Sequence, residues 1–92
     1  MKFAYNYYSP KRNNGSYDVS VALGKLFGWY DCEYSIPIVG IFMNELAQEC
    51  NKNPLIDDML CSTVLPEDYN LVRKAILKAT ERTMIKYEHM YG

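Results

Sequence analysis

The chain has 92 residues, of which 49% are hydrophobic and 23% are charged, with 10 lysines and arginines against 11 aspartates and glutamates. This length fits a single domain, residues 1–92, with one core, and the hydrophobic content excludes a disordered chain. The formal net charge of −1 excludes both a strongly basic protein that coats nucleic acid and a strongly acidic DNA mimic.

The N-terminal segment, residues 2–8, carries aromatic side chains at alternate positions. Phe3, Tyr5 and Tyr7 would lie on one face, and this period of two predicts a short β-strand. Residues 9–16 are mostly polar and include an Asn-Gly pair, which is typical of a turn, so we expect a loop there.

From Tyr17 the apolar residues recur three and four positions apart, as on one face of an α-helix. Ser16 or Asp18 can cap its start by accepting hydrogen bonds from backbone N–H groups. A competing interpretation pairs residues 16–21 with residues 2–8 as a β-hairpin; the spacing favours the helix. The predicted inward face consists of Val19, Ala22, Leu23, Leu26, Phe27 and Tyr30.

Two glycines, Gly24 and Gly28, lie four positions apart in this helix. Each weakens the helix relative to alanine by about 1 kcal/mol. Glycine fingerprints of nucleotide-binding loops lie between a strand and a helix and have other spacings. The pair therefore predicts close packing of a neighbouring helix or of Trp29.

A second helix is predicted to begin at Pro37, because proline favours the first turn. The sequence of residues 51–54 ends it, and a short helical turn follows with Asn53 as its cap and Pro54 in its first turn. The second helix has a broad apolar stripe of Ile38, Val39, Ile41, Phe42, Met43, Leu46 and Cys50. In the short turn we expect inward positions for Leu55, Ile56, Met59 and Leu60.

The last and longest helix is predicted to open at residues 66–68 and to run to about Met90. Its acidic first turn suits the positive end of the helix dipole. The fold class is therefore mainly α, a compact domain of three to four helices with a long C-terminal helix and a short N-terminal β-strand or hairpin. The predicted inward row of the last helix is Tyr69, Val72, Ile76, Ala79, Thr83 and Tyr87.

A row of basic side chains follows one side of the last helix at intervals of four residues, which places them on one ridge. Arg73 borders this ridge, and Lys11 and Arg12 in the polar loop would extend it if the fold brings them close. Such a ridge predicts contact with phosphates or with an acidic protein surface. The alternative is a solvated helix face whose long stems cover apolar surface. The basic row consists of Lys74, Lys78, Arg82 and Lys86.

Nine tyrosines are present, and several lie near the two ends of the chain. Tyrosine combines a large rigid contact area with a polar tip, and it is enriched at binding interfaces. Tyr5, Tyr7 and Tyr8 cannot all point inward from one strand. Together with Tyr91 they are therefore predicted to anchor a partner; the alternative is that they pack on the body with their hydroxyls in water.

The residues that could perform chemistry are few and scattered. Cys32, Cys50 and Cys61 form no C-x-x-C pair, and His89 is the single histidine. We therefore predict no metal, no cofactor and no enzymatic activity. The odd cysteine count and the absence of a signal peptide or a membrane-spanning segment predict a reduced, cytoplasmic protein.

In size, composition, aromatic content and lack of an enzyme motif, the chain resembles the small phage-encoded anti-CRISPR proteins that inhibit multi-subunit, RNA-guided type I complexes. The resemblance concerns the general properties of the whole chain and includes no shared motif. It therefore assigns no role to any residue. It implies a viral protein–protein interaction inhibitor in the host cytoplasm that sterically blocks a host ribonucleoprotein complex.

Two other functions fit the same residues. A small nucleic-acid-binding regulator could contact an RNA or DNA backbone through the basic row and stack bases on tyrosines. Alternatively, the end of the last helix could pair with a second copy of the chain. The residues that would form that pairing are Met84, Tyr87, Met90 and Tyr91.

Overall fold

The computed structural model describes residues 2–3, 14–62 and 69–91, and helices dominate these ranges. Helix α1 is Asn14–Trp29, α2 is Ile36–Lys52, α3 is Pro54–Cys61 and α4 is Asn70–Tyr91. None of the described ranges contains a β-strand. The mainly α fold class with a long C-terminal helix is thus confirmed.

Helix α1 begins at Asn14, earlier than the predicted start near Tyr17. The predicted caps therefore lie within the helix, and residues 16–21 are helical, so the hairpin interpretation of this segment is wrong. Lys2 and Phe3 also have helical backbone. Residues 4–8 of the predicted N-terminal strand lie outside the described residues.

The early start of α1 brings Gly15 against α3. A Cβ atom added to Gly15 would lie 3.1 Å from both the Cα and the Cβ of Leu60, and Leu60 is fully buried. An Asn-Gly pair favours a turn when considered alone, but here the glycine permits close approach of two helices. Residues 14–16 of the predicted polar loop therefore belong to α1.

We expect Gly15→Ala to lower the free energy of unfolding by about 1–3 kcal/mol, because the new methyl group overpacks against Leu60. Gly24→Ala is the matched control in the same helix, since no described atom beyond the adjoining helix backbone lies within 4 Å of the position its Cβ would take. The control should raise the free energy of unfolding by about 0.5–1 kcal/mol through helix propensity. Urea denaturation measures both; two changes of the same sign would contradict the Gly15 contact.

Among the described residues, no neighbouring helix and no Trp29 side chain packs against the Gly24 and Gly28 pair, so that prediction is wrong. Both glycines are exposed, and the space around their Cβ positions is open to 4 Å. Trp29 is also 68% exposed. The spacing correctly places the two glycines on one side of α1, but that side faces away from the core.

Two polar caps define the helices at the centre of the chain. The Ser35 Oγ accepts a hydrogen bond from the Ile38 N–H at 3.3 Å, just before α2. Asn53 ends α2, because its N–H donates to the Glu49 carbonyl at 3.1 Å. Its Oδ1 accepts from the Leu55 N–H at 3.1 Å and so begins α3. Each side-chain cap is worth about 1 kcal/mol, and the Asn53 cap confirms the prediction.

The N terminus is held to α3 by a carboxylate. The Lys2 and Phe3 N–H groups donate to the two oxygens of Asp57 at 2.9 and 3.0 Å. The Phe3 side chain is fully buried. Residues from the start of the chain thus complete the core formed by the four helices.

The core lies between α1, α2 and α4, and α3 closes one side of it. The radius of gyration is 12.7 Å, against about 12 Å for a compact domain of this length. Leu55 is 48% exposed, so its predicted inward position is wrong. Of the inward row predicted on α4, five members are buried and Tyr87 is half-buried. The five are Tyr69, Val72, Ile76, Ala79 and Thr83.

Helix α4 is the longest element, with 22 residues. It would measure about 33 Å at 1.5 Å per residue, close to the 38 Å longest dimension of the domain. The predicted opening at residues 66–68 lies outside the described residues. None of the described helices combines the length and the hydropathy needed to cross a bilayer.

Candidate functional site

Most of the basic row on α4 contacts acidic side chains of α2. Glu49 is almost fully buried and accepts a hydrogen bond from Arg82, with 3.1 Å between Nη1 and Oε2. The Lys78 ammonium lies 3.9 Å from its other carboxylate oxygen. Lys52, three residues further along α2, lies 3.2 Å from Oε2. One buried carboxylate therefore engages three cations.

Glu45, one turn earlier on α2, is 1% exposed. Its Oε1 forms an ion pair with the Lys86 ammonium, and this oxygen accepts no hydrogen bond within the described part of the chain. Because Glu45 meets Lys86 while Glu49 meets Lys78 and Arg82, α2 and α4 run antiparallel. The carboxylates and cations repeat at the same interval of four residues along the two helices.

The protonation of Glu49 reflects two opposing effects. Burial raises the pKa of this carboxyl, because the charged form loses its hydration. The hydrogen bond from Lys52 and the positive charges of Lys52, Arg82 and Lys78 lower the pKa, and together they prevail. The pKa of Glu49 is thus below its ordinary value, and the carboxylate is ionised at neutral pH.

These contacts divide the basic row into two parts. Lys78, Arg82 and Lys86 hold α4 against α2, and their charges are partly offset. Lys74 is exposed and forms no ion pair with a described residue. The Arg73 guanidinium lies 5.7 Å from the centre of the Tyr69 ring, at cation–π distance. The partner-binding role of the row remains a prediction; Lys74 and the bordering Arg73 have the most available charge.

The sequence interpretation missed the structural role of Glu45 and Glu49. The signal was present, because these two acids lie four residues apart within the broad apolar stripe of α2. Acidic residues on an inward helix face require cations nearby, and the row on α4 has the matching interval. Helical periodicity identifies each face but does not state which helix lies opposite.

A stack of tyrosines joins the C-terminal ends of α1 and α4. The ring centres of Tyr30 and Tyr87 are 4.6 Å apart, and those of Tyr87 and Tyr91 are 5.0 Å apart. The Tyr30 hydroxyl lies 3.0 Å from a Glu88 carboxylate oxygen and 3.2 Å from the Met84 carbonyl. Burial, followed by the Glu88 hydrogen bond and charge, raises the pKa of Tyr30 to about 12. The stack fixes the last turns of α4 on the body.

Large apolar side chains are exposed around this stack. They come from the end of α1, the link to α2, the start of α2 and the end of α4, which meet at one end of the domain. Tyr34 in the link also contacts Phe27, with ring centres 5.7 Å apart. We call this surface the aromatic end; its exposed members are Trp29 at 68%, Tyr34 at 64%, Ile36 at 73%, Met90 at 62% and Tyr91 at 58%.

A second surface feature is a groove between α1 and α4, with a cavity of about 230 Å³. Buried Ala22 and Ile76 line it, together with exposed Val21 and Leu77. Arg73 lies at its border on α4. We call this feature the α1/α4 groove.

The three cysteines are free thiols. Burial raises the pKa of the Cys50 thiol to about 12, so it is protonated at neutral pH. No cluster of three or more histidine, cysteine or acidic side chains suited to a metal ion occurs in residues 2–3, 14–62 and 69–91. His89 is exposed in the last turn of α4.

Among the predicted partner-binding residues, Tyr91 lies at the aromatic end. Others lie outside the described residues: Tyr5, Tyr7, Tyr8, Lys11 and Arg12. Comparison with protein-family models, with curated proteins and with solved structures finds no match to this chain.

Proposed function

We propose that this chain is a non-enzymatic binding protein that docks on a larger partner through its aromatic end. In keeping with the resemblance to anti-CRISPR proteins, the proposed partner is a host RNA-guided nucleoprotein complex, and the proposed effect is steric inhibition. The observation that carries the proposal is that Trp29, Tyr34, Ile36, Met90 and Tyr91 are each more than half exposed. They lie on segments next to the point where Tyr30, after α1, contacts Tyr87 near the end of α4.

Exposed aromatic groups at this density favour protein recognition. Tryptophan and tyrosine are enriched among the residues that dominate interface energies, and monomeric proteins seldom leave large apolar patches in water. The whole surface is 6072 Å², and a standard interface covers about 800 Å² on each partner. The aromatic end is therefore a suitable centre for one interface, which would occupy a substantial share of the molecule.

The ion pairs between α2 and α4 favour this proposal over nucleic-acid binding. A regulator that binds a phosphate backbone depends on cations whose counterions it releases. In the basic row, Lys78 and Arg82 are paired with Glu49, and Lys86 is paired with Glu45. These pairs reduce the positive field of the row, whereas the exposed side chains at the aromatic end are unaffected by them.

A target-binding assay with a panel of purified, guide-loaded type I complexes tests the proposal. We expect stoichiometric protein to reduce binding of double-stranded target DNA. Trp29→Ala combined with Tyr91→Ala should weaken inhibition at least about tenfold, as expected for loss of two interface anchors. Leu55→Ala is the control, because Leu55 is also exposed but lies on α3, beyond the opposite end of α2.

The two halves of the proposal have separate outcomes. If no complex in the panel is inhibited or bound, the assignment to the anti-CRISPR class is wrong. If inhibition occurs but the double variant and Leu55→Ala behave alike, the aromatic end is not the contact surface. Thermal unfolding of each variant shows whether a lost effect reflects lost structure.

A further inference from the structure

The α1/α4 groove is a second surface with the shape of a helix-binding site. Its floor is apolar, with buried Ala22 and Ile76, while Val21 and Leu77 are 39% and 58% exposed along its sides. Two neighbouring helices present parallel ridges, and the groove between them accepts the ridge of a third helix. Apolar anchors at helical spacing would cover Val21 and Leu77.

The charged side chains around the groove indicate the chemical class of its ligand. Lys25 and Arg73 line it, and Lys74 follows Arg73 on the exposed side of α4. These three cations form no ion pair with any residue of the described ranges. Asp18 is the one acidic residue that the described part of the chain contributes to the lining. An excess of cations beside exposed apolar side chains is complementary to carboxylates that flank an apolar stripe.

We propose that the α1/α4 groove binds an amphipathic helix of a partner protein whose apolar face is flanked by acidic side chains. The apolar face covers Val21 and Leu77, and the carboxylates meet Lys25 and Arg73. A nucleic-acid backbone would satisfy the cations but would leave both apolar side chains in water. This surface is separate from the aromatic end, so the inference extends beyond the proposed function and does not depend on it.

Two synthetic amphipathic helices provide the test. They share one apolar face of leucines, and the flanking positions are glutamate in one and lysine in the other. Backbone amide NMR shifts of the full chain report where each peptide binds. We expect the glutamate peptide to shift Val21, Lys25 and Leu77 and to bind at least about tenfold more tightly than the lysine peptide. Added salt should weaken its binding.

Variants of the full chain test the surface itself. Lys25→Glu combined with Arg73→Glu should reverse the preference between the two peptides. Leu77→Ala should weaken binding of the glutamate peptide several-fold, whereas Leu55→Ala, the same truncation at an exposed leucine of α3, should not. Thermal unfolding confirms that each variant is folded.

Four results would overturn the inference. These are no shift at Val21 and Leu77 with millimolar glutamate peptide, equal affinity for the two peptides, equal effects of Leu77→Ala and Leu55→Ala, or displacement of the peptide by a single-stranded oligonucleotide that binds the groove more tightly. The last result would assign the groove to nucleic acid. The assay contains no RNA-guided complex, so its outcome is independent of the proposed anti-CRISPR activity.

Discussion

Phe3→Ala is expected to lower the free energy of unfolding by about 3–5 kcal/mol, the usual cost of removing a buried phenylalanine ring. Phe3 is fully buried and belongs to the one large apolar cluster formed by the described residues. Its N–H group is also held by Asp57 at 3.0 Å. Loss of the ring would leave a cavity under α3 and would remove a large part of the stability of a small domain, about 5–15 kcal/mol in total. Urea denaturation monitored by circular dichroism measures the change.

Phe3→Leu is the matched control, because it keeps an apolar side chain in the same space. We expect a loss of less than about 1.5 kcal/mol for this variant, as for other hydrophobic replacements of similar size. A loss below about 1 kcal/mol for Phe3→Ala, which is typical of surface positions, would show that the third residue does not belong to the core.

Lys86→Met is expected to lower the free energy of unfolding by about 2–4 kcal/mol, because it leaves the buried Glu45 carboxylate without its cation. The estimate is below the cost of breaking a fully buried pair, since the Lys86 side chain is 49% exposed and water screens the interaction. Methionine keeps most of the apolar stem, so lost packing contributes little. Chemical denaturation at neutral pH measures the change.

Two companion variants separate the ion pair from other effects. Lys74→Met makes the same replacement on the same ridge, but Lys74 has no ion pair with a described residue; we expect a change within about 0.5 kcal/mol. Combining Glu45→Leu with Lys86→Met should restore most of the lost stability, because replacing both members of a buried pair by apolar groups is often neutral. Equal losses of the free energy of unfolding for Lys86→Met and Lys74→Met would contradict an ion pair between Lys86 and Glu45.

Local signals in the sequence were sufficient to predict most of the helical architecture. Pro37 marks the start of α2, and Asn53 with Pro54 marks the start of α3, because a polar cap and a first-turn proline act within a few residues. The apolar spacing of α1 and α4 correctly identified their inward faces. These features depend on neighbouring residues alone, so no knowledge of the tertiary fold was needed.

The errors concern contacts between elements. Gly15 was interpreted as part of a turn, but it lies against Leu60 of α3. The spacing of the basic row predicts a ridge that meets a partner or covers apolar surface, and it does not reveal that Glu45 and Glu49 on α2 engage most of the row. The aromatic end could not be predicted either, because it joins two distant stretches of the chain, residues 29–36 and 90–91, which only the packing of the helices brings together.

The ionised carboxylate of Glu49 implies that the domain loses stability at low pH. Because its folded pKa is lowered, Glu49 contributes stability that is present above its unfolded value of about 4.3 and is lost as the pH falls through the folded value. Once protonated, the neutral side chain would leave Lys52, Lys78 and Arg82 crowded around it as mutually repelling charges. Acid unfolding should therefore begin with separation of α4 from α2, while Asn53 still links α2 to α3.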